Sequence, residues 1–108
     1  MNIPSRHIEE AVDQLASLPG VGKKTALRLV LHLLKRDAKD IERFSKAFTT
    51  MKNEVKTCKS CGNIADNDIC EICLNPVRDH SLICVVEDIR DIMAIEATSS
   101  FKGIYHVL

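Results

Sequence analysis

Apolar residues recur at Ile8, Ala11, Val12, Leu15 and Leu18, steps that place them on one side of a helix. Ser5 stands where an N-cap belongs, and Pro19-Gly20 ends the periodicity. A second helix is predicted from near Lys23, with Ala26, Leu29, Val30, Leu33 and Leu34 on one side; Leu27 and Leu31 widen that stripe enough for contacts on two faces. A third, capped by Asp37 or Asp40, carries Ile41, Phe44, Phe48, Met51 and Val55 at steps of three and four. Phe44 and Phe48 on that stripe read as packing residues, not as platforms for stacked bases.

From residue 81 the pattern changes. Ser81-Leu82-Ile83-Cys84-Val85-Val86 is a short apolar run rich in β-branched residues, the signature of a strand buried on both faces. Glu87-Asp88 ends it, Ile89, Ile92, Met93 and Ile95 mark a helix to about Thr98, and Ile104-Tyr105-His106-Val107-Leu108 reads as a second strand. Strand, helix, strand implies a parallel pair. Two strands and one helix cannot cover both faces of a parallel sheet, so the expectation is a piece of a longer protein, or a sheet completed by a partner chain.

Between the helical and βαβ parts lie Cys58-x2-Cys61 and Cys70-x2-Cys73. Two residues between cysteines let both thiolates of a knuckle turn onto one ion, and two knuckles complete the sulfur tetrahedron that a structural Zn²⁺ prefers. Gly62, Asn63, Asp66, Asn67 and Asp68 supply turn chemistry between them. Two disulfides are the alternative. However, Met1-Asn2-Ile3-Pro4-Ser5-Arg6 lacks the apolar core of a signal peptide, and no run of about 18 apolar residues offers a membrane span. The expected location is the cytoplasm, where such a cysteine set is a metal site far more often than a bridge pair. Four sulfurs leave no open position, so the zinc would hold structure and not catalyse. Cys84, mid-strand, reads as a small buried hydrophobe, and His7, His32, His80 and His106 lack ligand spacing.

Leu18-Pro19-Gly20-Val21-Gly22-Lys23-Lys24-Thr25-Ala26 joins the first two helices. Pro followed by Gly is the type II turn pairing, Gly22 lets a ligand approach the backbone, and the helix start beyond offers unpaired N–H groups to a phosphate. Lys23, Lys24 and Arg28 stand beside it. A nucleotide-binding P-loop is excluded: it needs Gly where Ser17 stands, Ser or Thr where Lys24 stands, and a preceding strand. The remaining alternative is a turn that only links two packed helices.

The 108 residues are formally neutral, with 45% apolar and 4% aromatic residues and no Trp, so any core is lightly furnished and a metal is a natural staple. Neutrality hides a division. Residues 1–57 hold eleven Lys or Arg against seven acids, whereas residues 58–108 hold four against eight. A basic front half leans toward an anionic partner.

In order, these parts resemble the RecR family of bacterial recombination mediators. Leu18 to Ala26 resembles a helix-hairpin-helix, which grips a DNA backbone without reading sequence. The four-cysteine finger and the strand ending Val85-Val86-Glu87 follow as in that family. Arg28-Leu29 with His32-Leu33-Leu34, Asn75-Pro76 with Arg78-Asp79, Ala94-Ile95-Glu96, and Phe101 to Leu108 are similar to its wording as well. The resemblance implies an α+β protein in three parts: a helix-hairpin-helix region over 1–56, a zinc finger over 57–76 and the start of a Toprim domain over 77–108. It further implies a homo-oligomer that works in recombinational repair with RecO and RecF, helping RecA displace single-strand-binding protein on gapped DNA. The expected DNA-binding residues are Gly20, Val21, Gly22, Lys23, Lys24 and Arg28, and the expected metal ligands Cys58, Cys61, Cys70 and Cys73. Catalytic Toprim domains need a Glu at the end of the first strand and a later Asp-x-Asp to hold Mg²⁺. Glu87 matches the first by position; the only Asp-x-Asp, Asp66-Asn67-Asp68, lies inside the zinc loop. A non-enzymatic DNA-binding scaffold is therefore the expectation. A Toprim-type Mg²⁺ phosphoryl-transfer enzyme with carboxylates beyond residue 108, and a zinc-stapled protein adaptor, are the alternatives.

Overall fold

The computed structural model describes residues 2–108. Their elements are α1 (Arg6–Ala16), α2 (Lys23–Leu34), α3 (Ala38–Glu54), β1 (Lys56–Thr57), β2 (Ile64–Ala65), α4 (Glu71–Leu74), β3 (Ile83–Val86), α5 (Ile89–Glu96) and β4 (Ile104–Val107). The α+β content is as the sequence predicts. The chain divides into two compact units within α3, one ending at Ala47 and the next beginning at Phe48.

In the first unit Ser5 caps α1 by accepting from the Ile8 N–H at 3.3 Å. Val12 of α1 is buried with Ala26 and Val30 of α2, and Ile3, Ile8, Leu15, Ala16, Val21 and Leu27 close around them. The seam is narrower than the stripes predict: Leu18, Leu29, Leu31 and Leu34 are all exposed. On α3 no residue is buried; Phe44, Phe48 and Met51 on it, and Val55 just past its end, are 40–55% exposed. The apolar periodicity made that helix, but it did not decide what packs on it, and the packing role read for Phe44 and Phe48 is not matched by burial within this chain.

The second unit holds two small sheets. β1 and β2 form an antiparallel hairpin that pairs Lys56 with Ala65 and Thr57 with Ile64. β3 and β4 are parallel, in register from Ile83 with Ile104 to Val86 with Val107, as the βαβ reading requires. α5 covers one face, where Val86, Ile92 and Tyr105 are buried together with help from Ile72, Cys84, Ile95, Phe101 and Val107. The other face stays open: Ile83 is 56% and Val85 58% exposed. Among the described residues a single helix covers one side of β3, in keeping with the expectation that two strands and one helix cannot cover both faces of a parallel sheet.

A polar clamp holds this unit's loops. Arg78 donates to both carboxylate oxygens of Glu96 and to the carbonyls of Phe101 at 3.3 Å and Gly103 at 3.2 Å, while the Tyr105 hydroxyl donates to Glu96. The Arg78 hydrogen bonds hold the Glu96 carboxyl below its ordinary range, and burial, reinforced by Glu96, pushes the Tyr105 phenol up. Next to the clamp, a Cβ on Gly103 would stand 2.3 Å from the Leu82 carbonyl oxygen and 2.7 Å from the Phe101 ring. Backbone cannot yield as a side chain does. Gly103→Ala is therefore expected to lower unfolding stability by about 2 kcal/mol or more, measured by urea denaturation of zinc-loaded protein. An unchanged midpoint would show that the loop yields without cost.

Candidate metal centre and nucleic-acid interface

The four predicted ligands converge. The sulfurs of Cys58, Cys61, Cys70 and Cys73 all lie within 4.8 Å of one another. Each knuckle has a local cause. In the first, the Gly62 N–H donates to the Cys58 carbonyl at 2.9 Å, folding the chain so that both sulfurs face one way. In the second, Cys70 is the N-cap of α4, and its sulfur accepts from the Cys73 N–H at 3.4 Å. The hairpin brings the knuckles together through Cys58 N–H to Asn63 O at 2.6 Å and Lys59 N–H to Asp68 O at 2.8 Å.

Tetrahedral zinc with thiolates at about 2.3 Å sets its sulfurs about 3.8 Å apart. Cys58 to Cys73 is 3.9 Å and Cys61 to Cys70 is 3.6 Å, which fits that ion and is far too long for a disulfide. Backbone N–H groups aim at the sulfurs: Asn63 at Cys61 (3.4 Å) and Cys70 at Cys58 (3.2 Å). Burial pushes the Cys61 and Cys73 thiols up. It acts upward on Cys58 too, but N–H groups led by that of Cys70 outweigh it and bring this thiol down to about 6. A cluster in which burial opposes charge while backbone dipoles favour thiolate is one that a dication completes. His80 braces the second knuckle, with Nε2 2.9 Å from the Cys73 carbonyl oxygen and Nδ1 3.0 Å from that of Arg78. Cys84 lies apart, half-buried beside α5.

The hairpin forms as its letters predict. The Val21 N–H donates to the Leu18 carbonyl at 3.2 Å across Pro19-Gly20, and Gly20 has φ +80°, which the third residue of a type II turn requires. Val21 turns its side chain into the α1–α2 core, so it anchors the hairpin, and its N–H is engaged inside the turn. Gly22 is the N-cap of α2 in extended conformation, and no side chain caps that helix. Lys23, Lys24 and Arg28 are exposed along α2. Of the six expected DNA-binding residues, Gly20, Gly22, Lys23, Lys24 and Arg28 are thus exposed while Val21 is half-buried, and the N–H groups of Gly22, Lys23 and Lys24, in place of that of Val21, remain without a backbone partner.

Glu87 is exposed just past β3 and forms no ion pair among the described residues. Its acidic neighbours are otherwise engaged: Asp88 caps α5 by accepting from the Arg90 N–H at 2.8 Å, and Asp91 accepts from the Asp88 N–H at 3.3 Å. Asp68 lies between the ammonium groups of Lys56 (3.7 Å) and Lys59 (3.6 Å). Among the described residues the four cysteines are the single metal-competent cluster, and no helix is long and apolar enough to cross a membrane. The clamp of Arg78, Glu96 and Tyr105 has no periodicity behind it, since its members stand 18 and 9 positions apart, although each lies in a stretch that carries the family resemblance.

Residues 8–52 match the family described as RecR, helix-hairpin-helix, and residues 55–75 match the RecR zinc finger domain of four cysteines. Curated relatives are similar along nearly the whole chain. Recombination protein RecR of Phocaeicola vulgatus is 59% identical over 97% of this chain and 51% of its own length. That of Bacteroides fragilis is 55% identical over the same shares, and that of Flavobacterium johnsoniae 56% identical over 100% of this chain and 52% of its own. The chain spans about half the length of these relatives. The sulfur geometry and the matched finger together make the cysteine cluster a structural zinc site.

Protein purified without chelator is expected to carry one equivalent of zinc by elemental analysis, unchanged in Cys84→Ser and lost in Cys61→Ser; folded protein with near-zero zinc would refute this. Magnesium at sub-millimolar levels is expected to leave the NMR signals of Glu87, Asp88 and Asp91 unmoved, since two of these carboxylates are occupied in capping. Saturable shifts there would revive an acidic metal site.

Proposed function

Since the chain belongs to the RecR family, we propose that it is a non-enzymatic DNA-binding part of a recombinational repair protein, gripping the DNA backbone through its helix-hairpin-helix. The observation that carries this reading is the uncapped N-terminus of α2, presented by a rigid Pro-Gly turn and flanked by Lys23, Lys24 and Arg28. Free N–H groups of Gly22, Lys23 and Lys24 donate to phosphate oxygens, and the three cations add charge-assisted contacts. Such a grip touches no base edge, so it is indifferent to sequence. One hairpin meets few phosphates, and useful affinity comes from several copies in a homo-oligomer.

In this reading the protein acts in the cytoplasm, on the nucleoid, and helps load recombinase on gapped DNA with RecO and RecF as partners. Residues 1–56 bind DNA, 57–76 form the zinc staple and 77–108 begin a Toprim domain. The zinc supplies rigidity: the thiolates of Cys58, Cys61, Cys70 and Cys73 would hold it, and those residues do no bond-making.

Replacing Lys23, Lys24 and Arg28 together by Ala is expected to weaken DNA binding about equally for every sequence tested and to flatten the dependence of log K on log salt by about two to three contacts. Fluorescence anisotropy at several salt concentrations measures both. The side chains are exposed, so the melting temperature should hold. Parent-like DNA binding by the triple variant at low salt would reduce the hairpin to a linker.

A further inference from the structure

The positive excess of the first half is not spread over it. Residues 23–36 hold Lys23, Lys24, Arg28, Lys35 and Arg36 with no acid, so this stretch alone carries the excess. Six of the ten other bases are answered by neighbours: Arg6 by Glu10, Arg43 by Asp40, Lys56 and Lys59 by Asp68, Arg78 by Glu96 and Arg90 by Asp88; Lys39, Lys46, Lys52 and Lys102 stand singly and do not form a row. No base of residues 23–36 has a carboxylate within ion-pair distance among the described residues.

α2 arranges these charges in a row. Lys24, Arg28 and His32 are four residues apart, and Lys35 and Arg36 continue the turn through N–H bonds to His32 O (3.2 Å) and Leu33 O (3.0 Å). At about 100° per residue the row lies opposite Ala26 and Val30, which face α1, and all five members are exposed. Arg36 Nη2 donates to His32 Nε2 at 3.4 Å, which holds the guanidinium back over the row. From Lys24 to Arg36 the row extends about 18 Å, the axial length of about five phosphates on one strand of B-form DNA.

This arrangement does not serve the helix. Lysines in the first turn oppose the helix dipole, and like charges four apart repel, each costing a few tenths of a kcal/mol. Solvated helices relieve such costs with mixed signs, as Arg6 with Glu10 on α1 and Asp40 with Arg43 on α3 do. On α2 the costs stand unrelieved, which is the state a polyanion relieves.

Resting on the reading of the hairpin as a DNA-backbone site, we propose that the footprint continues beyond it. The phosphate backbone leaves the α2 N-terminus and runs along the exposed face of α2 to Lys35 and Arg36, the latter steadied by His32. Full-length zinc-loaded protein titrated with fluorescein-labelled, mixed-sequence single-stranded DNA at several salt concentrations tests this. Lys35→Gln/Arg36→Gln is expected to weaken binding severalfold at low salt and to flatten the salt slope by about 1.4, two contacts at about 0.7 each. Lys46→Gln/Lys52→Gln removes the same charge from exposed positions on α3 and should keep the parent slope. If Lys24→Gln/Arg28→Gln flattens the slope while Lys35→Gln/Arg36→Gln does not, the footprint ends at the hairpin; this proposal then falls and the DNA reading survives. If neither pair matters, both fall. Equal flattening by the α3 pair would mean that overall charge alone is felt, which also overturns the extended footprint.

Discussion

The gathering of four sulfurs within 4.8 Å is the constraint on which the second compact unit depends. Around it, full burial in residues 56–76 is confined to Cys58, Cys61 and Cys70, with Ala65, Ile69, Ile72 and Cys73 half-buried against them. A buried aliphatic side chain contributes about 1.5–3 kcal/mol, and this handful cannot order some twenty residues. A structural zinc, with apparent binding free energy on the order of 10 kcal/mol, can. The order then spreads by direct contact. Val107 of β4 donates its N–H to the Cys61 carbonyl at 2.8 Å, His80 reaches back to Cys73 and Ile72 touches both the sulfur cluster and the core under α5. Finger and strand pair belong to one compact unit in this structure, although their sequences read as separate pieces.

The hairpin unit is built on a different plan. Its core is a thin seam of Val12, Ala26 and Val30, and its turn is held by one backbone hydrogen bond and a glycine in the left-handed region. That suffices to hold a helix start and a row of cations in a fixed pose, because the seam leaves the solvent face of α2 uncommitted. The apolar exposure on α3 and the outer side of β3 belongs to the same picture of small cores that cover one side of each element.

Several features are legible in the order of residues. Ser5 as a cap, Pro19-Gly20 as a type II turn and the parallel pairing of residues 83–86 with 104–107 follow from local rules of capping, turn stereochemistry and connection length. The spacing of the cysteines likewise specifies the metal set. The departures are equally particular. Val21 stands among the candidate phosphate donors, yet its N–H closes the turn; Ile83 and Val85 have the letters of a doubly buried strand, yet both are open. Asp88 and Asp91 look like an acidic corner beside Glu87, yet they form a capping box.

Those differences share a physical cause. Sequence alone determined whatever depends on a few consecutive residues: helix periods, caps, turn type, the two knuckles and the sign of charge along the chain. The tertiary structure alone decided which side of each apolar stripe is covered, that Arg78 finds Glu96 and Tyr105, and that Gly103 must be glycine because the Leu82 carbonyl passes beside it. A local rule acts through bonds and neighbouring dihedrals, which the order of letters records. Burial and long-range hydrogen bonding depend on which distant segment arrives at a surface, and nothing in a single stretch of chain encodes that arrival.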